Sequence, residues 1–529
     1  MLDRPRAIRR GSVQVRRLCR LTTVFDATLF LHAYARYRLN TLQTFDATTS
    51  QRRTLMKLVH RARETKFGQD HGFSGIGDVS DFQNQVPLRD FEEFWATYWA
   101  HPFPNLVDVS WPGRIPFFAL TSGTTSGRSK YIPVSREMVR SNRRATADLF
   151  TFHLRANPKS HLLAGKSLML SGSAQLTEEA PGVRSGDLSG IMAASVPWYA
   201  RSRFFPPSDI GRIQDWEEKM ALIVARSRHE NIRVVGGTTS WLVLFLDQVL
   251  EDACGAGLAD VYPDLDLLVH GGVSFEPYRT HVDRLCAGMA TDVREVYPAS
   301  EGFIAIADAG PDDGLRLCLD HGIFFEFVPV ADLESTAPKR YWIDTVEDGV
   351  EYAIVVTTCA GLWSYLVGDT VRFVDRANAR IVVTGRISQM LSAFGEHVIV
   401  SELDRAISAA CRAMECVVVD YAVGAVVPRD GSPKGHHVIV AEFESQQPDP
   451  DRFTALVDAA LQEENDDYRA HRSGDFGVGP PQLVVGASGM FAAWMTKRGK
   501  LGGQNKVSRI ISDPGLFSDL RVFAEGFGQ

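Results

Sequence analysis

Short apolar, β-branched runs recur along the middle of the chain: IPFFAL, SLMLSG, IRVVGG, LDLLVHGG, IFFEFVPV, YAIVVTT, VRFVD and RIVVTG. Each has the length of a buried strand and is too short for a helix. Between several of the earlier runs lie helical stretches, such as 215–227 (DWEEKMALIVARS) and 277–289. Alternation of strand and helix up to about residue 330 predicts an α/β fold with mixed or parallel sheets. From 321 to 384 the strands crowd together, which predicts an antiparallel or barrel-like part. Upstream, residues 51–66 place Leu55, Leu58, Val59 and Ala62 on one helical face, and 90–100 read as an amphipathic helix starting at Asp90. After residue 400 a new unit begins, with helix 401–412, strands 415–427 and 436–443, and helix 451–465. The expected organisation is an N-terminal extension (1–45), poorly ordered or helical, a large domain (46–388) and a small, mobile α/β domain (389–529).

At 529 residues the chain can bury a large core in two or more domains. Its formal charge of −7 argues against a general nucleic-acid binder. No apolar run approaches transmembrane length, so no membrane partner is expected. Seven cysteines (Cys19, Cys254, Cys286, Cys318, Cys359, Cys411 and Cys416) are scattered and form no Cys-x-x-Cys. Free thiols in a reducing compartment, hence a cytoplasmic protein, are the simple expectation. The arginine-rich start resembles that of a signal peptide. Asp26 and His32 break the apolar region that follows, so export is not expected. The sequence does not set the oligomeric state, and a monomer is compatible with it.

The run FALTSGTTSGRSKYIPVS (118–135) stands out. Hydroxyl residues and glycines crowd together and end in Lys130. Glycines let backbone approach a ligand, N–H and hydroxyl groups donate to phosphate oxygens, and a lysine adds charge. Three residues separate Gly123 from Gly127, and Lys130 lies three beyond, which is not the P-loop spacing. A flexible surface turn and a phosphate cradle both fit this stretch alone.

Four further segments are weak singly. In YPASEG (297–302) Glu301 follows a hydroxyl residue and could hold a divalent metal; a plain loop carboxylate is the simpler reading. In YLVGD (365–369) the carboxylate of Asp369 could accept from ribose hydroxyls, though a plain hairpin turn is the simpler reading of the segment alone. TGRISQMLSAFGE (384–396) carries Arg386. KRGKLGGQNKVSR (497–509) is glycine-rich and cationic, as a solvated tail also is.

Taken in order, these five segments resemble the ordered signature of adenylate-forming enzymes. Within that superfamily the chain resembles the Gretchen Hagen three family of acyl-acid amido synthetases, in its bacterial-type form. The resemblance runs from about residue 45 and includes ETKFGQDHGF, DFQNQVPLRDFEEF, VVGGTTSWLVLFLDQV, LLVHGGVSFEPYR, EVYPASEGFIAIAD, TTCAGLWSYLVGDTVRF and GKLGGQNKVSR. It implies the adenylate-forming fold, ATP and Mg²⁺, and small-molecule partners, a carboxylic acid and an amino acid or other amine. It implies that 121–130 cradles phosphates, with Thr121, Ser122, Gly123, Thr124, Thr125, Gly127 and Lys130. Glu301 would hold Mg²⁺ next to Ser300, Tyr297 would stack near adenine, and Gly271 and Gly272 would let the base approach backbone. Asp369 would bind ribose, Arg386 ribose or phosphate, and Lys506 would be the catalytic cation of adenylation. Two departures stand out: Ser388 and Gln389 occupy the usual acidic hinge near 388–391, and Ser508 stands where relatives carry proline.

No Gly-x-Ser-x-Gly elbow, His-Glu-x-x-His or zinc spacing is present, and attack by a free amine needs no protein nucleophile. By the same resemblance the acid pocket lies near Leu188, Met192, Trp198 and Trp241, each of which ordinary core packing would also explain. The expected activity is amide formation through an acyl-adenylate. A thiol acceptor (coenzyme A or a carrier protein) and a non-catalytic nucleotide-binding relative are the alternatives.

Overall fold

The computed structural model describes residues 25–121, 130–171, 174–213, 215–253, 257–272, 275, 278–310, 312–333, 335–387, 391, 398–426, 435–444, 447–465, 468–469, 472, 478–498, 507–511 and 513–527. The arginine-rich start therefore lies outside the described residues.

A twelve-stranded sheet organises the larger part. From one edge its strands run Tyr341–Trp342, Ile323–Pro329, Glu351–Thr358, Tyr365–Asp375, Arg380–Arg386, Leu315–Leu317, Gly302–Ile306, Asp292–Ala299, Leu267–Gly271, Ile232–Thr238, Lys166–Met169 and Phe204–Phe205. The last five are parallel to one another. The remaining pairings are antiparallel, beginning where Asp292–Ala299 turns back into Gly302–Ile306. So the strands of 321–384 are antiparallel and extend the same sheet. The change of direction follows from connection length. Helices such as Trp216–Ser227 and Thr239–Asp252 give parallel crossovers, and the tight Ser300–Glu301 turn allows only an antiparallel return. Both faces of the central strands are covered, which is why they read as continuous apolar runs: Leu267 and Leu268 are fully buried, as are Phe324, Phe325 and Phe327.

Two boundaries differ from expectation. The helix expected over 277–289 spans only Arg279–Leu285. The stretch 90–100 is the helix Phe91–Phe94 followed by a π-type turn, Trp95–Trp99. Asp90 caps it in a capping box with Glu93, accepting from the Glu93 amide at 2.9 Å.

A second sheet, in the order Lys130–Val134, Phe117–Thr121, Val183–Gly186, Thr177–Ala180, packs against the same core. Lys130 lies opposite Thr121 in the antiparallel register, so these two strands pair as a hairpin.

After residue 398 three strands, Val418–Val426, His436–Phe443 and Gln482–Gly486, form a separate sheet. Alternation sorts its side chains. Tyr421, Val423, Ile439 and Ala441 pack with helices Val400–Met414 and Pro450–Glu464, whereas Ala422, Val438 and Val440 face helices Met490–Lys497 and Pro514–Gly526. No helix among the described residues is long and apolar enough to cross a membrane.

Candidate active site

The strand ends of the twelve-stranded sheet open into one cleft of about 2370 Å³, bounded on the far side by the C-terminal unit. Thr238, Gly271 and the Ser300–Glu301 turn all lie at the carboxyl ends of parallel strands. Ligands of open α/β sheets bind there, because the crossovers leave a crevice at that edge.

The hairpin delivers its two ends to this cleft. Thr121 and Lys130 both line it, and the Lys130 ammonium lies 5.7 Å from the Phe91 ring centroid. Ser122, Gly123, Thr124, Thr125 and Gly127 lie outside the described residues, as does Lys506. The cleft is lined beyond Lys506 by Val507, Ser508 and Arg509.

Gly271 is dictated by sterics. A Cβ there would lie 2.2 Å from the Val296 carbonyl oxygen on the neighbouring strand. Gly272 follows with φ +79°, which a side chain would strain. The two glycines thus present bare backbone to the cleft beside Phe275.

Asp369 and Arg386 are paired by register on adjacent antiparallel strands. Arg386 Nε donates to Asp369 Oδ1 at 2.6 Å, and the Tyr297 hydroxyl donates to Oδ2 at 2.5 Å. Burial and the Asp369 charge push the Tyr297 phenol well above its ordinary value, and Asp369 likewise raises Arg386. Tyr297, held by this bond, lines the cleft.

Glu301 stands next to this group. Desolvation, opposed by its backbone hydrogen bond, lifts its carboxyl to about 7, with the Asp369 charge adding to the rise. The Tyr365 hydroxyl hydrogen-bonds to it. No cluster of three or more His, Cys, Asp or Glu side chains that could hold a metal exists among the described residues. One deep carboxylate with an unfavourable charge matches Mg²⁺ carried on a nucleotide. Mg²⁺ takes one or two protein carboxylates, with phosphates and waters completing its shell.

Ser300, Leu188, Met192 and Trp241 also line the cleft. Trp198 does not. It begins the 3₁₀ segment Trp198–Arg203, is 81% exposed, and packs edge-on against the exposed Tyr199, so its apolar ring faces outward. Its neighbours Pro197, Ala200 and Arg201 line the cleft in its place.

Tyr365, Glu295 and Asn142 are among the cleft residues that sequence reasoning missed. Tyr365 stood inside the Tyr-x-x-Gly-Asp segment but was read only as its first letter. Glu295, raised to about 7 by burial against the opposing pull of Arg279, sits in an ordinary strand pattern. Asn142 belongs to the helix Arg136–Ala156 and carries no motif.

Models of the GH3 family match three successive stretches: its N-terminal domain over residues 39–254, its central domain over 316–385 and its C-terminal domain over 401–515. A jasmonoyl–L-amino acid synthetase, JAR4, of Nicotiana attenuata is 23% identical over 477 residues, covering 76% of this chain and 80% of that protein. The solved AtGH3.15 acyl acid amido synthetase in complex with 2,4-DB superposes with a TM-score of 0.76 at 18% identity, over 92% of this chain and 96% of that one. A 2-hydroxyisobutyryl-CoA ligase in its postadenylation state gives a TM-score of 0.58 at 15% identity, over 95% and 94% of the two chains. The fold is that of the adenylate-forming enzymes. With its three domain models matched in order and the motif-bearing strands meeting in one cleft, the chain belongs to the GH3 family.

Proposed function

We propose that this protein is an ATP-dependent acyl-acid amido synthetase. The observation that carries the reading is the convergence of Thr121, Lys130, Glu301, Asp369 and Arg386 on one cleft, in a chain whose three GH3 stretches appear in family order.

In the first half-reaction a carboxylate oxygen of the acid attacks the α-phosphorus of ATP. The bond to the β-phosphate oxygen breaks, and its electron pair leaves with pyrophosphate. Charge builds on the phosphoryl oxygens, so fixed donors and cations aimed at them lower the barrier. Lys130 and the hydroxyls of the hairpin would bind the leaving phosphates, and Arg386 and Lys506 would bear on the α-phosphate. Asp369, held by Tyr297 and Arg386, would accept from the ribose hydroxyls. Gly271 and Gly272 would leave room for the base. Glu301 would hold Mg²⁺, which when bound neutralises phosphate charge. In the second half-reaction a deprotonated amine attacks the acyl carbonyl, AMP departs, and an amide results. The chain needs no nucleophile of its own for either step.

Acid-dependent exchange of labelled pyrophosphate into ATP tests the first step, with Lys506→Ala as control. Exchange that requires an acid and falls by about 10²–10³ in the variant supports adenylation. Amide product with an amine, and none of the thioester with coenzyme A, supports the second step. Exchange followed by thioester alone would assign the acceptor to the thiols instead.

A further inference from the structure

The cleft has an apolar end with a polar fault in it. On the helix Arg136–Ala156, residues 142, 146 and 149 fall on one face, and Asn142, Thr146 and Leu149 all line the cleft. Leu188, Ser189 and Met192 line it from the helix Leu188–Ala194. The two helices meet where Asn142 Nδ2 lies 3.8 Å from Met192 Sδ, a weak acceptor.

Asn142 is 4% exposed, yet its Oδ1 has no hydrogen-bond partner among the described residues. The Ser189 hydroxyl is in the same condition. Thr146 differs, since its hydroxyl donates to the Asn142 carbonyl at 3.1 Å. Buried side-chain oxygens are nearly always bonded, because losing water without a replacement is costly. Helix packing alone would favour an apolar residue at position 142, where the helix meets Met192. A carboxamide there makes sense when something else in the cleft completes it.

We infer that Asn142 is a specificity residue whose Oδ1 accepts a hydrogen bond from a hydroxyl or N–H group on the acyl portion of the acid. This rests on the amido synthetase reading for the reaction, though not for the binding. The acid class is then one with an apolar frame and a donor remote from its carboxylate. A site with a buried acceptor rejects the analogue lacking the donor, since that analogue leaves the acceptor unpaired.

The test uses three matched series of arylacetic acids: ring-hydroxylated, ring-methylated, and the methyl ethers, which accept but cannot donate. Each is assayed by pyrophosphate exchange and by calorimetric binding to the full chain. Wild type should favour the hydroxylated acids over the methylated ones by about tenfold to a hundredfold in kcat/KM. Asn142→Leu should abolish or invert that preference while keeping turnover of the methylated acids. Ser189→Ala serves as a second, milder variant and should reduce the preference. Equal use of all three series by wild type, a preference for the ethers, or proportional loss of every acid in Asn142→Leu would each overturn the inference. If no acid supports exchange, the amido synthetase reading fails, and the calorimetric preference still decides the role of Asn142.

Discussion

The Tyr297 hydroxyl and the Arg386 guanidinium grip the two oxygens of Asp369 separately, at 2.5 and 2.6 Å. The arrangement fixes the carboxylate plane at the cleft wall. A carboxylate so held can accept further bonds through its remaining lone pairs without reorganising.

Asp369→Asn keeps the shape but removes the charge and turns one acceptor into a donor facing Tyr297 or Arg386. Charge-assisted hydrogen bonds contribute about 1.5–3 kcal/mol each. The KM for ATP in pyrophosphate exchange should therefore rise about tenfold to a hundredfold, with a smaller change in the KM for the acid. An unchanged ATP KM would remove Asp369 from the nucleotide site.

Glu301 predicts a pH dependence. Its carboxyl is raised to about 7 from an ordinary value of 4.5, so the folded protein without ligand favours the neutral form. This group's contribution to stability is fully present below the unfolded-state value and is lost as pH rises through about 7. Relative to wild type, Glu301→Gln should therefore gain thermal stability progressively between about pH 5 and pH 8. Tm measured at both ends checks it. Exchange in wild type should rise through the same window as the carboxylate ionises, and that rise should vanish in the variant.

Gly271→Ala places a methyl group 2.2 Å from the Val296 carbonyl oxygen, which is backbone of a central strand and cannot swing aside. Overpacking of this kind costs about 1–3 kcal/mol. A lowered Tm together with weakened ATP binding is expected. Gly113→Ala is a useful contrast: it has open space around its Cβ and strain only from φ +76°. It should lose stability with no loss of ATP affinity.

The first described helix, Thr28–Gln43, is anchored by charge. Arg38 pairs with Asp148 and with Asp320, each at 2.7 Å, and is 6% exposed. His321 lies 3.2 Å from Asp148 and 3.1 Å from Asp320. Burial opposes its protonation, but the two carboxylates outweigh burial and raise it above its ordinary value. Arg38→Met leaves Asp148 and Asp320 to His321, the Tyr34 hydroxyl and the half-exposed Arg144, 3.4 Å from Asp320. Breaking a buried pair from one side costs about 3–5 kcal/mol. Urea unfolding should show a loss of that order; a loss under about 1 kcal/mol would place the cluster with weak surface pairs.

The strands were legible because burial on both faces makes them continuous apolar runs, and the motif segments were legible because chemistry restricts their residues. Asn142 was not. One asparagine in an amphipathic helix has no pattern, and only the approach of Met192 from another helix makes it unusual. Trp198 failed in the opposite sense. Its composition suits a pocket wall, but a 3₁₀ turn directs it outward, and no local rule specifies that direction.

The sequence by itself determined the order of the segments, the alternation that yields a mixed sheet, and the glycines and carboxylates that nucleotide chemistry demands. Those are local properties, set by side-chain volume, backbone freedom and charge. Tertiary structure alone decided which residues meet. It set Asp369 opposite Arg386 by strand register, closed Tyr297 onto Asp369 across 72 residues of chain, and left Asn142 Oδ1 without a hydrogen-bond partner among the described residues. Proximity between residues far apart in sequence depends on how whole layers pack, and no single segment encodes it.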